Sequence, residues 1–477
     1  MTNNRHLAKL IIGFFVLIFI SRFNIYAQNQ PNIVFIVVDD LGWKDLACYG
    51  SEFYETPAID QLASEGIRFT QAYSAHSLCV PSRYALMTGK YPARVLGKER
   101  FLSKNDICFS ELLKESGYET FYAGKWHLGS KDSEDYPLPE KQGFDVNKGG
   151  SHIGQPGSYY YPYKGIGKIK RADGSYADYG VPGLAGGEEG EYLTDRLTDE
   201  TINFIQKKSK NPFFVMLSHY AVHTPIQATP ELNSKYNKKL SAMNPPPTEY
   251  IREGTGVANV HQNHATYAAM IESVDESVGR IRETLEQLSL VENTIIVFTS
   301  DNGGLSNTGY AQRELATSNL PLRAGKGWLY EGGIRVPLIV YWPGVTKTGK
   351  SDALVNGMDY YPTFLEMAGQ PLRPELHKDG ISFVPVLKGE VKTSRKLSYW
   401  HTQAGNPGYV GDTGCSVVRD GKFKLIHWYK EERIELFNLE KDIGEKNDLS
   451  KKMPQKADEL FAKLKHWRND VNAFMQE

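Results

Sequence analysis

The chain has 477 residues, 40% hydrophobic and 23% charged, and 55 Lys+Arg against 56 Asp+Glu leave a net charge of −1. That composition argues against a disordered, collagen-like or polytopic membrane protein, and the balanced charge against a surface built throughout to hold nucleic acid. The length fits two or three domains, or one large domain with an appendage.

Arg5 and Lys9 precede the apolar run Leu10–Ile20, which Ser21-Arg22 ends. The run is shorter than the ~20 residues a spanning helix needs, and a positive start before a short apolar stretch is the pattern of a secretory signal peptide. Cleavage after Ala27 makes residues 1–27 the signal peptide and the mature protein exported, periplasmic or secreted, with no stable membrane insertion. An uncleaved N-terminal anchor is the alternative.

Asn32–Val38 is a near-continuous apolar, β-branched run, as expected of a strand buried on both faces of a parallel sheet, and it runs into Asp39-Asp40. Thr56-Pro57 start a helix over Ala58–Glu65 that Gly66 closes, and Ile67–Tyr73 reads as a strand. A helix around Phe109–Glu115 precedes a strand through Tyr118–Ala123; a helix over Leu193–Lys207 precedes a strand over Phe213–Ser218. From about Asn263 to Leu288, Tyr267, Met270, Ile271, Val274, Val278, Ile281, Leu285 and Leu288 recur at helical spacing. Thr294–Thr299 is a second apolar strand that ends near an acid, Asp301, and Leu338–Trp342 a further strand. Such alternation predicts an α/β sheet with helices on both faces, whose sites gather at the carboxyl ends of strands.

Beyond Gly344 the texture changes to short strands, Ser398–His401, Val417–Arg419 and Phe423–Trp428, the last two joined through Asp420-Gly421. An amphipathic helix over Pro454–Phe474 closes the chain. The expected organisation is an α/β domain over 28–374 and a C-terminal α+β subdomain over 375–477. Gly149–Gly190, rich in Gly, Tyr, Pro and Ser, reads as a long functional loop, and its Lys164, Lys168, Lys170 and Arg171 either engage a polyanion or are solvated. Cys48, Cys79, Cys108 and Cys415 form no C-x-x-C pair and no disulfide framework.

Several groups carry chemistry. Cys79 stands before Pro81 and Arg83, where a helix start is expected to lower its pKa beside an anion site; a nucleophile, an anion site and a buried inert thiol all fit the segment. Asp39, Asp40, Asp301 and Asn302 are hard oxygen donors suited to Ca²⁺ or Mg²⁺ rather than zinc, although either pair alone also fits a turn or cap. Lys125 and His127 follow one strand, and His219 and His223 another. Lys326 lies between Gly325 and Gly327, which let the backbone approach an anion.

Cys79-x-Pro81-x-Arg83 resembles the maturation signature of the formylglycine-dependent sulfatases, a branch of the alkaline phosphatase superfamily, with Val80 where Ser, Thr or Ala is commoner. Gly117-Tyr118-Glu119-Thr120 with Gly124-Lys125-Trp126-His127-Leu128-Gly129 is similar to a second family segment, and Glu435–Leu439 to its C-terminal strand. The resemblance implies a large mixed, mostly parallel sheet sandwiched by helices, with a smaller C-terminal α+β subdomain. It implies Cys79 oxidised to formylglycine by a formylglycine-generating or anaerobic sulfatase-maturating enzyme, and one Ca²⁺ (Mg²⁺ the alternative) on Asp39, Asp40, residue 79, Asp301 and Asn302. The catalytic set it implies is Cys79, Arg83, Lys125, His127, His223 and Lys326, with His223 and Lys326 gripping sulfate and the leaving oxygen. Ser151 would be a further donor at most, and His219 reads as packing. The implied reaction is hydrolysis of a sulfate monoester, as in bacterial secreted carbohydrate sulfatases acting on ulvan, carrageenan, porphyran or glycosaminoglycan fragments. A phosphodiesterase or phosphonate monoester hydrolase of the same superfamily competes with this reading, as does an inactive sugar-binding paralogue.

Overall fold

The structure, a computed structural model, describes residues 30–95, 102–130, 134–135, 137–165, 180–207, 210–244, 249–310 and 314–473, with the backbone of 169–170 and 176–177. The expected signal peptide, Lys168 and Arg171 lie outside the described residues, and of Lys170 only the backbone is described.

Eight strands form one large sheet: β1 (Asn32–Val38), β2 (Ile67–Tyr73), β3 (Glu119–Gly124), β4 (Val146–Lys148), β5 (Phe213–His219), β6 (Thr294–Ser300), β7 (Leu338–Tyr341) and β8 (Gly349–Asn356). Their spatial order is β8-β2-β7-β6-β1-β5-β3-β4, parallel throughout except for β7, which runs against both its neighbours. This is the mixed, mostly parallel sheet expected.

The alternation of β1 explains the layers. Val34, Ile36 and Val38 face one core with Ile59 and Leu62 of α1 (Pro57–Glu65), and with residues of the later helices Leu193–Ile205, Pro230–Met243 and Ala265–Gln287. Ile33, Phe35 and Val37 face the opposite core with Leu86 and Met87 of α2 (Cys79–Thr88), Phe109 and Leu113 of α3 (Phe109–Glu115), and Phe364 of Tyr360–Met367. All seven β1 residues are buried, because side chains on successive residues leave the sheet on opposite faces and both are covered. Ala265–Gln287 buries the expected stripe up to Leu285, while Leu288 caps the helix half-buried.

Two turns differ in reason from the sequence reading. Gly66 closes α1 at φ −108°, not in the left-handed region; it is required because a Cβ there would stand 2.5 Å from the Val340 carbonyl oxygen. The hairpin between the last predicted strand pair turns on Gly421-Lys422 rather than Asp420-Gly421, since Asp420 pairs with Phe423 and Gly421 supplies the positive φ of 56°.

Core residues up to Leu387 still pack beneath the large sheet. A second, antiparallel sheet of Leu397–Thr402, Cys415–Asp420, Phe423–Trp428 and Arg433–Asn438 then follows in sequential order. One face carries Val418, Leu425 and Leu436 against Leu460, Leu464 and Trp467 of Pro454–Asp470. The other packs Val417, Ile426 and Trp428 onto Tyr73, Trp328, Tyr330 and Ile334 of the large unit. Lys424, fully buried, bridges the seam to Glu331 (3.0 Å) and Glu445 (2.8 Å). All four cysteines are free thiols.

Candidate active site

The neighbouring parallel strands β6, β1, β5 and β3 end along one edge of the sheet, with Val38 level with both Ser300 and His219. The residues just beyond them therefore converge: Asp39-Asp40, Asp301-Asn302, and Lys125 with His127. The position follows from the topology, since open α/β sheets place their sites beyond the carboxyl ends of the strands.

Cys79 occupies the first turn of α2 and is buried, its Sγ 3.5 Å from Asp39 Oδ1 and 3.8 Å from Asp40 Oδ1. One helical turn later on the same face, Arg83 donates from Nε to Asp301 Oδ2 (2.8 Å) and from Nη1 to the Lys125 carbonyl (2.7 Å) and Ser218 Oγ (2.6 Å). Arg83 thus ties the helix that carries Cys79 to the ends of β6, β3 and β5. Lys125 Nζ lies 2.6 Å from Asp39 Oδ2, Lys326 Nζ 2.6 Å from Asp40 Oδ2, and His223 Nε2 3.6 Å from the same oxygen.

Ligand atoms of Asp39, Asp40, Cys79 and Asp301 all lie within 4.8 Å of one another, and all four residues are buried. Asn302 donates through Nδ2 to Asp40 Oδ1 (2.8 Å), which leaves its buried Oδ1 without a hydrogen-bond partner. An orphaned amide oxygen beside three carboxylates fits a hard divalent cation, which takes oxygen ligands. Asp40 (φ 60°), His127 (φ 59°) and Ala324 (φ 57°) all sit in the left-handed region, a strain that clusters at functional sites. The main-chain N–H of Asp40 is held by Asp301 Oδ1 (3.1 Å) and that of His127 by the Ser151 carbonyl (2.9 Å).

Electrostatics correct one expectation. Burial pushes the Cys79 thiol up, and the nearby Lys125 and Lys326 do not offset it, so the helix start does not lower its pKa. The unmodified thiol is therefore not a poised thiolate. Burial alone would raise Asp40, but Lys326, His223 and Lys125 outweigh it and hold its carboxyl well below the usual range. Burial and the Asp39 charge push Asp301 up to about 6. Burial and Lys326 push His223 down to about 3, and burial and Lys125 keep His127 well below the ordinary imidazole value. Both rings are neutral at pH 7. His223 Nδ1 lies 2.9 Å from the Thr224 carbonyl and 3.2 Å from Thr224 Oγ1, and Nε2 is turned toward the site, 3.6 Å from Asp40 Oδ2. Lys326 stays protonated, because Asp40 more than offsets the cost of burial.

All the predicted site residues meet here. His219 instead turns to Ser277 Oγ (3.1 Å) in the helix behind, and Ser151 meets the cluster through its carbonyl on the His127 N–H while its hydroxyl accepts the Ile153 N–H. The glycines beside Lys326 answer to the protein's own packing: a Cβ on Gly325 would stand 2.5 Å from the Gly304 carbonyl, and one on Gly327 2.4 Å from Val410. Sequence reasoning missed Ser218, which accepts from Arg83 and donates to the Lys125 carbonyl (2.9 Å), and Tyr122, whose hydroxyl donates to that carbonyl as well.

The family profile described as Sulfatase matches residues 31–370. The chain belongs to the sulfatase family. It is a sulfuric ester hydrolase, with the alkaline phosphatase-like fold that its sheet displays. A profile for the N-sulphoglucosamine sulphohydrolase C-terminal region matches residues 324–472 of this sulfatase. A sulfatase of Formosa agariphila is 31% identical over 94% of this chain and 90% of its own. An N-acetylgalactosamine-6-O-sulfatase of Bacteroides thetaiotaomicron is 29% identical over 91% and 92%. The crystal structure of Ps i-CgsB in complex with k-i-k-neocarrahexaose superposes with a TM-score of 0.72 at 31% identity, covering 94% of this chain and 95% of that one.

Proposed function

We propose that this sulfatase hydrolyses sulfate monoesters on a sulfated saccharide, with Cys79 oxidised to formylglycine and a divalent cation, Ca²⁺ before Mg²⁺, on Asp39, Asp40, Asp301 and Asn302. The observation that carries the reading is Cys79 among three carboxylates and three basic side chains, Arg83, Lys125 and Lys326, at one sheet edge. The relatives that act on or bind sulfated saccharides support the substrate class.

A sulfate ester is an anion, so a nucleophile reaches its sulfur only where positive charge is preorganised around it. The cation, when bound, supplies that charge and lowers the pKa of an oxygen it touches, and the formylglycine hydrate supplies a hydroxyl nucleophile with a second hydroxyl for release. Arg83, pinned by Asp301 and Ser218, fixes residue 79 relative to the strand ends. Lys125 and Lys326 present ammonium groups already stripped of water, so their attraction for sulfate oxygens is stronger than in bulk solvent. Of the two basic groups beside Asp40 Oδ2, Lys326 is a cation and His223 is neutral, so Lys326 is the donor to the departing alcohol. His127, neutral and with Nδ1 unpartnered, accepts a proton during release of sulfate.

Among the described residues no helix is long and apolar enough to cross a membrane. We place the enzyme in the exported fraction, on the strength of Arg5, Lys9 and the apolar run after them, with a maturation enzyme as its partner before folding. Rates on an aryl sulfate and an aryl phosphodiester, measured side by side, test the reaction. Faster phosphodiester cleavage would transfer the site to phosphoryl chemistry.

A further inference from the structure

A second cleft lies away from the strand-end site, on the seam between edge strand β8 and the Asp420–Lys422 turn of the small sheet. It measures 420 Å³, and its lining includes Arg335, Arg395 and Arg419 at its base and Lys392, Lys396 and Lys422 on its rim. The arginines are buried and the lysines exposed. The carboxylates in the lining are Asp352, Asp420 and Glu440.

Most of the possible neutralisation is already committed elsewhere. Arg335 is paired with Glu331 (3.2 Å), Arg395 with Asp359, and Asp420 with Lys463 (2.6 Å). Arg419 differs. It is 5% exposed, yet among the described residues its guanidinium donates only to neutral oxygens: Tyr73 Oη, Gln71 Oε1 and, through Nε at 3.1 Å, the Gly421 carbonyl. Glu331 makes no direct hydrogen bond to it and is joined to it through the Tyr73 hydroxyl, although, against burial, the Arg419 charge, after those of Lys424 and Arg335, helps hold the Glu331 carboxyl low. Lys392, Lys396 and Lys422 form no ion pair among the described residues, so three uncommitted cations, with Arg419 beneath them, face two uncommitted carboxylates, Asp352 and Glu440. A buried guanidinium that touches no carboxylate still has room for a charged acceptor, and the cleft has the volume of a small-ligand site.

We propose that this cleft is a second, non-catalytic site that holds the sulfate groups of an anionic saccharide, with Arg419 at its floor and Lys392, Lys396 and Lys422 closing over the ligand. The proposal rests on the saccharide reading above for its ligand, and extends it: a substrate strand bearing several sulfates would be held at a place remote from the one being cleaved. The gain is effective concentration, since a strand tethered at one site presents its other sulfates intramolecularly.

Sucrose octasulfate titrated by calorimetry into the full chain, at constant ionic strength, tests it. The triple variant Lys392→Ala/Lys396→Ala/Lys422→Ala, altered only at exposed positions, should bind about tenfold more weakly than wild type, with unchanged melting temperature and unchanged turnover of an aryl sulfate. Lys326→Ala, which weakens the strand-end site instead, should keep the binding that the triple variant loses. Triple-variant affinity within about twofold of wild type would overturn the proposal. Sodium sulfate displacing the octasulfate at equal concentration would overturn it too, because the cleft would then be a site for the free ion. Absence of any sulfatase activity in the wild type would defeat the functional reading alone, and would leave the difference in binding intact.

Discussion

Lys326 Nζ lies 2.6 Å from Asp40 Oδ2, although 286 residues of chain separate the two. Lys125 makes the matching contact with Asp39, also at 2.6 Å. Each of two consecutive carboxylates therefore carries its own ammonium, all four groups are buried, and the pairing sets what each group contributes to the chemistry.

Lys326→Ala removes the protonated group nearest Asp40. If it assists departure of the alcohol, kcat should fall by about 10²–10³ while KM changes little, as for loss of one charge-assisted donor in a preorganised site. The loss should be larger on a sulfated sugar than on an aryl sulfate, whose phenolate leaves unaided. Steady-state kinetics on both substrates check this, and equal losses would reduce Lys326 to a sulfate-holding role.

Cation binding should depend on pH in a stated direction. Burial and Asp39 push Asp301 up to about 6, so below that value the site carries a proton that a cation must displace. Calcium affinity should weaken about tenfold between about pH 7 and pH 5, read by calorimetry on metal-stripped enzyme. Asp301→Ala should abolish both tight calcium binding and turnover. Affinity that is flat with pH would remove Asp301 from the ligand set.

Lys424 predicts stability rather than activity. It is fully buried between Glu331 and Glu445, and Lys424→Ala would leave Glu445 without a cationic partner in the seam. The expected cost is about 3–5 kcal/mol, because removing one member of a buried pair strands the other charge. Thermal unfolding measures it, and a replacement by Met, which fills the space but still strands Glu445 while Glu331 keeps Arg335, should not restore the loss.

What the sequence disclosed follows from burial on both faces. β1 is apolar after Asn32 and β6 over Ile295–Phe298, and both run on to acids, so both the strands and the candidate metal ligands were legible. β8 was not, since its segment Gly-Lys-Ser-Asp-Ala-Leu-Val-Asn is an edge strand whose first half is largely exposed and polar. Pro230–Met243 was also missed, because only Tyr236 of that helix is fully buried and the rest reads as loop. Cys79, Lys125 and Lys326 were recognisable by residue type and motif, whereas Ser218 and Tyr122 are common residues whose role depends on where Arg83 reaches across the sheet. The state of the Cys79 thiol was misjudged for a related reason: the helix start was visible in the sequence and the depth of burial was not.

Mass spectrometry of the tryptic peptide Phe69–Arg83, from protein co-expressed with a maturation enzyme, tests the central claim most directly. The account predicts that the fraction of peptide carrying formylglycine at residue 79 equals the fraction of active enzyme, and that Cys79→Ala retains the fold with no turnover of an aryl sulfate. Full sulfatase activity in protein whose residue 79 is wholly unmodified cysteine would contradict it.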